Sequence, residues 1–476
     1  MLKFDTNVQE LKYKVLKEVA KSSFNGTLLQ DYNEIPKIIV PGPKPSMRCC
    51  IYKERAIVLE RMKLATGGNR ENKNVVEVLN IACDECPVGG YSVTHNCRGC
   101  IAHRCEKACL RHCITFDPET RQAKIDKTKC VNCGLCAKAC QYGAILNFKR
   151  PCESACKVGA ISMGEDFAAK INDDKCIQCG SCVSQCPFGA IMDKSFIVDV
   201  INILKDSDFS KKYNVYAIVA PSISSQFKYA TLGQVVSAIK ALGFHSVVEA
   251  ALGADMVAYN EAHELAEKMR LTSSCCPVFV TYIKKKYPDL VPYISSNLSP
   301  MAAIAEYLKK TDPTCKTVFI GPCIGKKEEI QNEKVKLIVD QVLTFEELQA
   351  LIDSRDIDAS KLPEGKLDNA SYYGRIFARC GGLTDAVKEA LKESNINFDV
   401  KGLACDGIPN CKAALDKFKT ASDEVNFIEG MACVNGCIGG PCCLTHEFRD
   451  KTEVDKYGMQ AKEKTILDAI KVVKDN

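Results

Sequence analysis

The chain gives little support for a membrane or export reading. No apolar run approaches the roughly 18 residues that a bilayer span needs. The opening stretch MLKFDTNVQELKYKVLKEV is amphipathic and charged throughout, without the continuous apolar core of a secretory signal. No quinone, nicotinamide or flavin motif is evident, and G-x-G-x-x-G is absent. Tryptophan is absent as well. These features predict a cytoplasmic protein with no membrane segment. Cysteine is also missing from one long stretch, between Cys186 and Cys275. That gap argues against a disulfide framework, which would spread over the chain it staples.

What is present is cysteine in quantity. There are 30 in 476 residues, 19 of them between Cys49 and Cys186. Clustering at short repeated spacings is what metal ligation needs. The length predicts two or three domains, and 46% apolar with 26% charged residues is ordinary for a globular chain. Three parts are expected. Residues 1–80 form a helical region, with helices around 7–20 and from Arg48 to Met62, the latter carrying Cys49 and Cys50. Residues 81–196 are rich in cysteine and turns, with no core of their own, and read as an α+β ferredoxin-like domain. Residues 197–476 alternate strand-like runs (YAIVAP, TVFIGP, VNFIEG) with helical stretches such as 232–242 and 384–393. That alternation predicts an α/β domain with mostly parallel sheets and flanking helices, binding ligands beyond the carboxyl ends of its strands.

Residues 130–140, CVNCGLCAKAC, and 176–187, CIQCGSCVSQCP, are both C-x2-C-x2-C-x3-C runs. In bacterial ferredoxins three cysteines of each run hold one 4Fe–4S cluster and the fourth ligates the other cluster. The expected sets are Cys130, Cys133, Cys136 with Cys186, and Cys176, Cys179, Cys182 with Cys140. Zinc is the competing reading of C-x2-C pairs. Degraded copies follow the same pattern: CRGCIAHRCEKAC at 97–109 and CESAC at 152–156. Interlocking predicts a third cluster on Cys97, Cys100, Cys105 and Cys156. A fourth would use Cys83, Cys86, Cys109 and Cys152, although Cys83, Cys86, Cys109 and Cys113 can equally be read as buried thiols. His95, His103 and His112 read as surface or supporting residues. Three or four clusters in a row make an electron wire, which needs a terminal.

Three further motifs lie in the carboxyl half: TSSCCP at 272–277, GPCIGKKEE at 321–329 and EGMACVNGCIGG at 429–440. No ferredoxin uses such spacings. In order and content they resemble the three signatures of the FeFe (iron-only) hydrogenases, and the resemblance covers about residues 81–476. It implies an H-cluster, a 4Fe–4S cubane joined through one cysteine to a two-iron subsite bearing CO, cyanide and an azadithiolate. By motif match Cys276, Cys323, Cys433 and Cys437 hold the cubane, with Cys437 as the bridge. Cys275 matches the proton donor to the azadithiolate amine. Glu261, Glu264 and Ser295 match the remainder of a proton relay. Without the resemblance, the two glutamates would read as a solvated helix face. Ala220-Pro221-Ser222 matches a segment that binds one cyanide, and Lys326 the lysine that pairs with the other.

The resemblance implies reversible oxidation of H2 to protons and electrons. H2 and protons are the implied substrates, a ferredoxin or similar carrier the electron partner, and maturation proteins the source of the diiron subsite. Two other readings compete: an iron–sulfur assembly protein that keeps the cubane without the diiron subsite, and an H2 sensor. An assembly protein needs no relay thiol. A sensor would carry a signalling domain, and the stretch after Cys443 reads as a plain helical tail. The chain departs from the family's best-known branch. Gly321 stands where that branch has Met, Val278-Phe279 follow the first signature in place of Trp, and GGPCCL replaces a GGGQP-like run. Cys380, Cys405, Cys411, Cys442 and Cys443 are extra thiols, each more simply read as packed.

The formal charge of +5 counts every cysteine as neutral. An oxidised cubane with its four thiolates carries roughly −2, so four or five take the loaded protein to about −3 to −5. A nucleic-acid partner is therefore not expected, and any basic patch should be local.

Overall fold

The computed structural model describes residues 4–420 and 424–474. Its carboxyl half carries two sheets, both parallel. Strands Ser246–Glu249, Val215–Val219, Lys316–Gly321 and Gln341–Thr344 lie side by side in that order. Leu271–Thr272, Phe427–Met431 and Gly402–Asp406 form the second sheet, in that order. The strand runs and the helices Leu232–Ala241 and Gly382–Glu393 stand where the sequence places them. Phe427–Met431 is buried at every residue, as a parallel strand covered on both faces must be.

Four strands deliver the signature segments from their carboxyl ends. Val215–Val219 leads into Pro221 and Ser222, and Leu271–Thr272 into Cys275 and Cys276. Lys316–Gly321 leads into Cys323, and Phe427–Met431 into Cys433. The helix Ala250–Lys268 runs through this half. Gly253 lets it approach the helix Pro300–Thr311, because a Cβ there would meet the Pro300 carbonyl oxygen at 2.1 Å.

Residues 1–80 do not stand apart. The helix Asn7–Asn25 starts at Thr6, whose hydroxyl accepts from the Gln9 N–H. Its Leu11, Val15, Leu16 and Val19 join the same core as Val215–Val219 and the helix Phe345–Ser354. The second expected helix is Ile51–Ala65, with two short helices, Leu28–Asp31 and Ile35–Ile39, before it. Cys50 caps it through its sulfur and Cys49 precedes it, so neither sits within the helix as expected.

The cysteine region has four antiparallel ribbons and helices of four or five residues. Val76–Val78 pairs with Ile191–Asp193, so this region starts before the expected boundary at 81. Gly90–Val93 pairs with Ile145–Phe148. The second ribbon is nested inside the first: one small ferredoxin-like unit, about 90–149, is inserted into another made of 76–89 and 150–193. Each unit has its own short ribbon, Ile114–Phe116 with Ala123–Ile125 and Ile161–Met163 with Ala169–Ile171. Each also packs two short helices together: Arg104–Lys107 on Leu135–Ala139, and Pro151–Ala155 on Ser181–Gln185.

A buried ionic knot ties the halves. Lys327 Nζ donates to Asp193 at 2.8 Å and to Glu347 at 2.7 Å, all three side chains being within 1% of full burial. Lys12 Nζ meets Asp193 at 2.5 Å and Glu346 at 2.6 Å. Burial alone would push the Asp193 carboxyl up, but the two ammonium groups hold it well below the usual carboxylate range. Removing one partner from such a group leaves uncompensated buried charge, at a cost of about 3–5 kcal/mol. Lys327→Met is therefore expected to lower the anaerobic unfolding midpoint of the full chain sharply, and an unchanged midpoint would show that the knot is dispensable.

Candidate active site and its thiol clusters

The four signature segments meet in one place. The Cys433 thiol is raised well above its ordinary value, first by burial and then by its neighbours Cys323, Cys276 and Cys437. Burial and the thiols of Cys276 and Cys437 likewise push Cys323 up to about 12. Cys437 is exposed, yet the surrounding protein first and then Cys276 push its thiol up to about 12. Thiolates gathered this closely would repel one another, and they fit an iron–sulfur core, whose irons supply the opposing positive charge.

Polar groups surround the thiols. Lys326 is buried and donates to Glu329 at 2.6 Å and to the Cys275 carbonyl at 3.4 Å; Glu329 in turn accepts from Ser299. The Ser222 hydroxyl is fully buried without a partner among the described residues. An orphaned hydroxyl and a buried ammonium suit an anionic ligand such as iron-bound cyanide. The residues present therefore fit the group that the motifs imply: Cys276, Cys323, Cys433 and Cys437 would hold its iron, with Ser222 and Lys326 facing its diatomic ligands. Local packing enforces the arrangement. Phe279 lies against Gly430, where a Cβ would come within 2.2 Å of the ring.

Beside this site runs a chain of acids. Cys275 is buried, and its thiol is raised well above the ordinary value by burial first and then by Glu261. Glu261 is fully buried on the helix Ala250–Lys268. Its Oε1 accepts from the Ser274 N–H at 3.3 Å, and its Oε2 has no partner among the described residues. Burial pushes its carboxyl up to about 7, against the pull of the nearby Ser295 hydroxyl. Ser295 donates to Glu264 at 3.0 Å. Burial opposes ionisation of Glu264, but Lys268, the Ser296 N–H and the Ser295 hydroxyl outweigh it, so this carboxyl is lowered. Lys268, half-exposed at the end of the row, meets Glu264 at 2.6 Å. One acid near neutrality beside one held ionised is an arrangement able to pass protons. Sequence reasoning missed Lys268 and Asn297, whose Nδ2 donates to Glu264 at 2.8 Å. The i,i+4 spacing of Glu264 and Lys268 was the available signal.

The cysteine region groups its thiols differently from the expectation. Cys86 feels Cys186 and Cys83, and Cys152 feels the same pair. Cys182 feels Cys179, Cys176 and Cys156. Cys105 feels Cys140 and Cys100. Cys136 feels Cys130 and Cys109. The fold thus brings together Cys83, Cys86, Cys152, Cys186; Cys156, Cys176, Cys179, Cys182; Cys100, Cys105, Cys140; and Cys109, Cys130, Cys136, to which the C-x2-C spacing adds Cys97 and Cys133 respectively. Cys186 does not join Cys130, Cys133 and Cys136, nor Cys140 the set of Cys176, nor Cys156 that of Cys97, nor Cys109 that of Cys83. The nesting is the reason: each fourth cysteine crosses to the other run of its own unit, and the two complete runs lie in different units.

Backbone N–H groups point at the sulfurs. Ala160 donates to Cys156, Ala190 to Cys186 and Ala169 to Cys83, at 3.1–3.3 Å. Such bonds tune cluster potential. Gly134 and Gly180, at φ 79° and 77°, turn the two complete runs into their short helices. Cys113 lies 3.2 Å from Cys109. N–H donors, first that of Cys113, lower the Cys109 thiol, whereas burial pushes Cys113 up to about 12. A zinc site would hold its sulfurs about 2.3 Å from one ion; among the described residues no three His, Cys, Asp or Glu side chains close in that way.

The sets connect to the active site. Cys433 also feels Cys179, and Gly180 packs against Ile324 and Pro441, beside the second and third signatures. A cleft of about 820 Å³ is lined by Cys156, Cys179 and Cys433. Of the extra thiols, Cys405, Cys411, Cys442 and Cys443 are buried and Cys380 is half-buried. Cys443, Cys405 and Cys411 donate to the carbonyls of Ile438, Glu429 and Met431, each at 3.3 Å.

A family model for the iron-only hydrogenase large subunit, C-terminal domain, matches residues 213–441. Models of the 4Fe-4S binding domain match 123–146 and 169–192. The periplasmic Fe hydrogenase large subunit of Nitratidesulfovibrio vulgaris is 30% identical over 375 residues, 67% of this chain and 85% of that one. The chain belongs to the iron-only hydrogenase family. Iron hydrogenase 1 of Clostridium pasteurianum is 28% identical over 383 residues, and the chain spans 65% of its length. A cytosolic Fe-S cluster assembly factor NAR1 from Kluyveromyces lactis is 39% identical, but over 88 residues, 18% of this chain. A solved variant of the hydrogenase HydA1 from Chlamydomonas reinhardtii aligns at 20% identity with a TM-score of 0.49, covering 58% of this chain and 94% of that one. Within the family, this chain's Glu261 should titrate in the physiological range. A protonated-carboxyl infrared band should be present below about pH 7, vanish as pH rises through that value, and be missing from Glu261→Gln. A band that persists to high pH in wild type, or survives in the variant, contradicts the assignment.

Proposed function

We propose that the protein interconverts H2 with two protons and two electrons. The observation that carries this reading is the row Cys275, Glu261, Ser295, Glu264 and Lys268, which leads from beside the signature thiols to the surface. When bound, the diiron group supplies an open metal site for H2. The protein's own residues do the remaining work. Cys275 lends and takes back a proton at its sulfur, and Glu261 exchanges that proton at the unpartnered Oε2. Ser295 passes it to Glu264, and Lys268 meets solvent. Lys326 and Ser222 orient the bound group, while Cys276, Cys323, Cys433 and Cys437 hold its cubane.

The wire consists of four further 4Fe–4S clusters on the four thiol sets described above. It serves a ferredoxin-type carrier. Similarity to the assembly factors favours a second reading, in which the cubane alone is kept. That reading leaves a buried, connected acid row without a purpose.

After anaerobic maturation, infrared bands from CO and cyanide stretching are expected, and their absence would favour the assembly reading. Cys275→Ala should keep the cubane's spectroscopic signal and lose on the order of a hundredfold or more in H2 turnover. Retained turnover would remove the thiol from the relay. Iron content tests the thiol sets. Cys83→Ser with Cys186→Ser should remove one cluster, about four irons, whereas Cys130→Ser with Cys186→Ser should remove two, about eight. The reverse pattern would restore the pairing of the two complete runs.

A further inference from the structure

Charge along the chain is unevenly placed. Of 64 Lys and Arg and 59 Asp and Glu, ten of the former and only four of the latter lie in residues 90–149, so the remainder is close to balance. The whole net positive charge therefore belongs to the inserted unit. Three of its four acids are already engaged: Glu106 with His103, Asp117 with Lys124, and Asp126 with Lys129. Arg98, Arg104, Lys107, Arg111 and Arg121 are exposed and have no carboxylate partner among the described residues. Several flank the cysteines of one thiol set along the chain. Arg98 lies between Cys97 and Cys100, Arg104 precedes Cys105, and Arg121 packs against Gly99, where a Cβ would meet its carbonyl oxygen at 2.5 Å.

Amid this charge stand apolar side chains that nothing covers. Ile101 is 99% exposed and Leu110 80% exposed. Cys100, next to Ile101, is itself exposed. A redox-active set at the surface, an apolar tip beside it and a basic rim have the anatomy of a transient protein interface. The unit is also far along the wire. The set that feels Cys433 lies in the other unit, whose ribbon ends at Asp193, in the knot.

We propose that an acidic single-electron carrier protein docks on the loop Cys97–Arg104 of the inserted unit, with Ile101 at the centre of the contact and Arg98, Arg104 and Arg121 as its rim. This rests on the reading of the chain as a hydrogenase with an iron–sulfur wire, and names where the wire begins. The step is a transfer of one electron. The reduced carrier loses it, the cluster at Cys97, Cys100, Cys105 and Cys140 gains it, and no bond or proton moves. The reverse step serves H2 oxidation. A nucleic acid or an anionic membrane would also be drawn to the basic rim, but neither needs an exposed thiol set at its centre.

The test uses the loaded holoprotein and a purified acidic bacterial ferredoxin. Reduced ferredoxin is mixed with the protein, and bleaching of the cluster absorption is followed by stopped flow across a range of salt. The variant Arg98→Glu, Arg104→Glu, Arg121→Glu should slow the second-order rate by about tenfold or more at low salt and flatten its salt dependence. Reduction by methyl viologen should be unchanged. Ile101→Asp, whose side chain has no packing to lose, should slow the ferredoxin step too, which guards against a misfolded triple variant. A control reversal of Lys334, Lys336 and Lys388 should have no such effect.

Equal slowing by the control, full ferredoxin rates in the triple and Ile101→Asp variants, or displacement of ferredoxin by duplex DNA or phosphatidylserine vesicles would each overturn the proposal. Fast, salt-sensitive reduction by ferredoxin without H2 formation from either donor would sink the hydrogenase reading and leave the docking site standing.

Discussion

The buried knot of Lys327, Asp193, Glu347, Lys12 and Glu346 is the constraint on which the remaining geometry depends. Burying ions is costly, and such a group persists only where each charge is opposed. Here the members come from four places. Lys12 is on the first long helix, Asp193 on the last strand of the cysteine region, and Lys327 on the short helix Gly325–Glu329 within the second signature. Glu346 and Glu347 open the helix Phe345–Ser354, where Glu347 also closes a capping box with Thr344. One knot thus fixes the cluster region, the amino-terminal helix and a signature loop relative to one another. The preceding residue, Lys326, points the other way, to Glu329 and the Cys275 carbonyl. Two consecutive lysines divide the labour between holding the halves together and presenting charge to the site.

That fixed frame allows the two supply lines to be built from different elements. Electrons need thiol sets held close, and this is met by turns whose glycines permit left-handed backbone and by a loop packed against Ile324 and Pro441. Protons need acids whose affinities differ, and this is met on one helix. Glu261 is fully buried with Ser274 as its donor and is pushed up, whereas Glu264, three residues on, has Lys268, Asn297 and two serines and stays ionised. The same chemical group takes two roles because burial and donors differ.

Much of this was legible in the sequence, for identifiable reasons. The signatures were readable because strands ending in Pro322-Cys323 and Ala432-Cys433 are local features. The two complete runs were readable because three cysteines of each act within about seven residues. The fourth cysteine acts across space, and there sequence adjacency misled. The runs ending at Cys140 and Cys186 look like partners, yet the ribbon Gly90–Val93 with Ile145–Phe148 closes one unit before the other resumes at Arg150. Helix boundaries near Cys49 slipped by a turn because a cysteine sulfur took the cap position. Lys12, an ordinary lysine on an amphipathic helix, carried no sign that it would be buried against Asp193.

The nesting also explains how a longer wire could be added without disturbing the old one. The outer unit's two pieces meet at Cys86 and Arg150, whose charges feel each other. Insertion at a point where chain ends already lie close costs little loop entropy. The outer unit keeps its contacts with Pro441 and its place in the knot, so the link from Cys179 to Cys433 is untouched. The inserted unit is free to differ in charge from everything beneath it. Its sequence uses that freedom, because the excess of arginine and lysine is confined to it while the remainder stays near balance. Charge on a projecting unit steers association over about a Debye length, roughly 8–10 Å in ordinary salt. A basic rim therefore acts on an approaching acidic partner at the tip and adds little field at the buried acids, whose protonation burial, Lys268 and the neighbouring serines set locally.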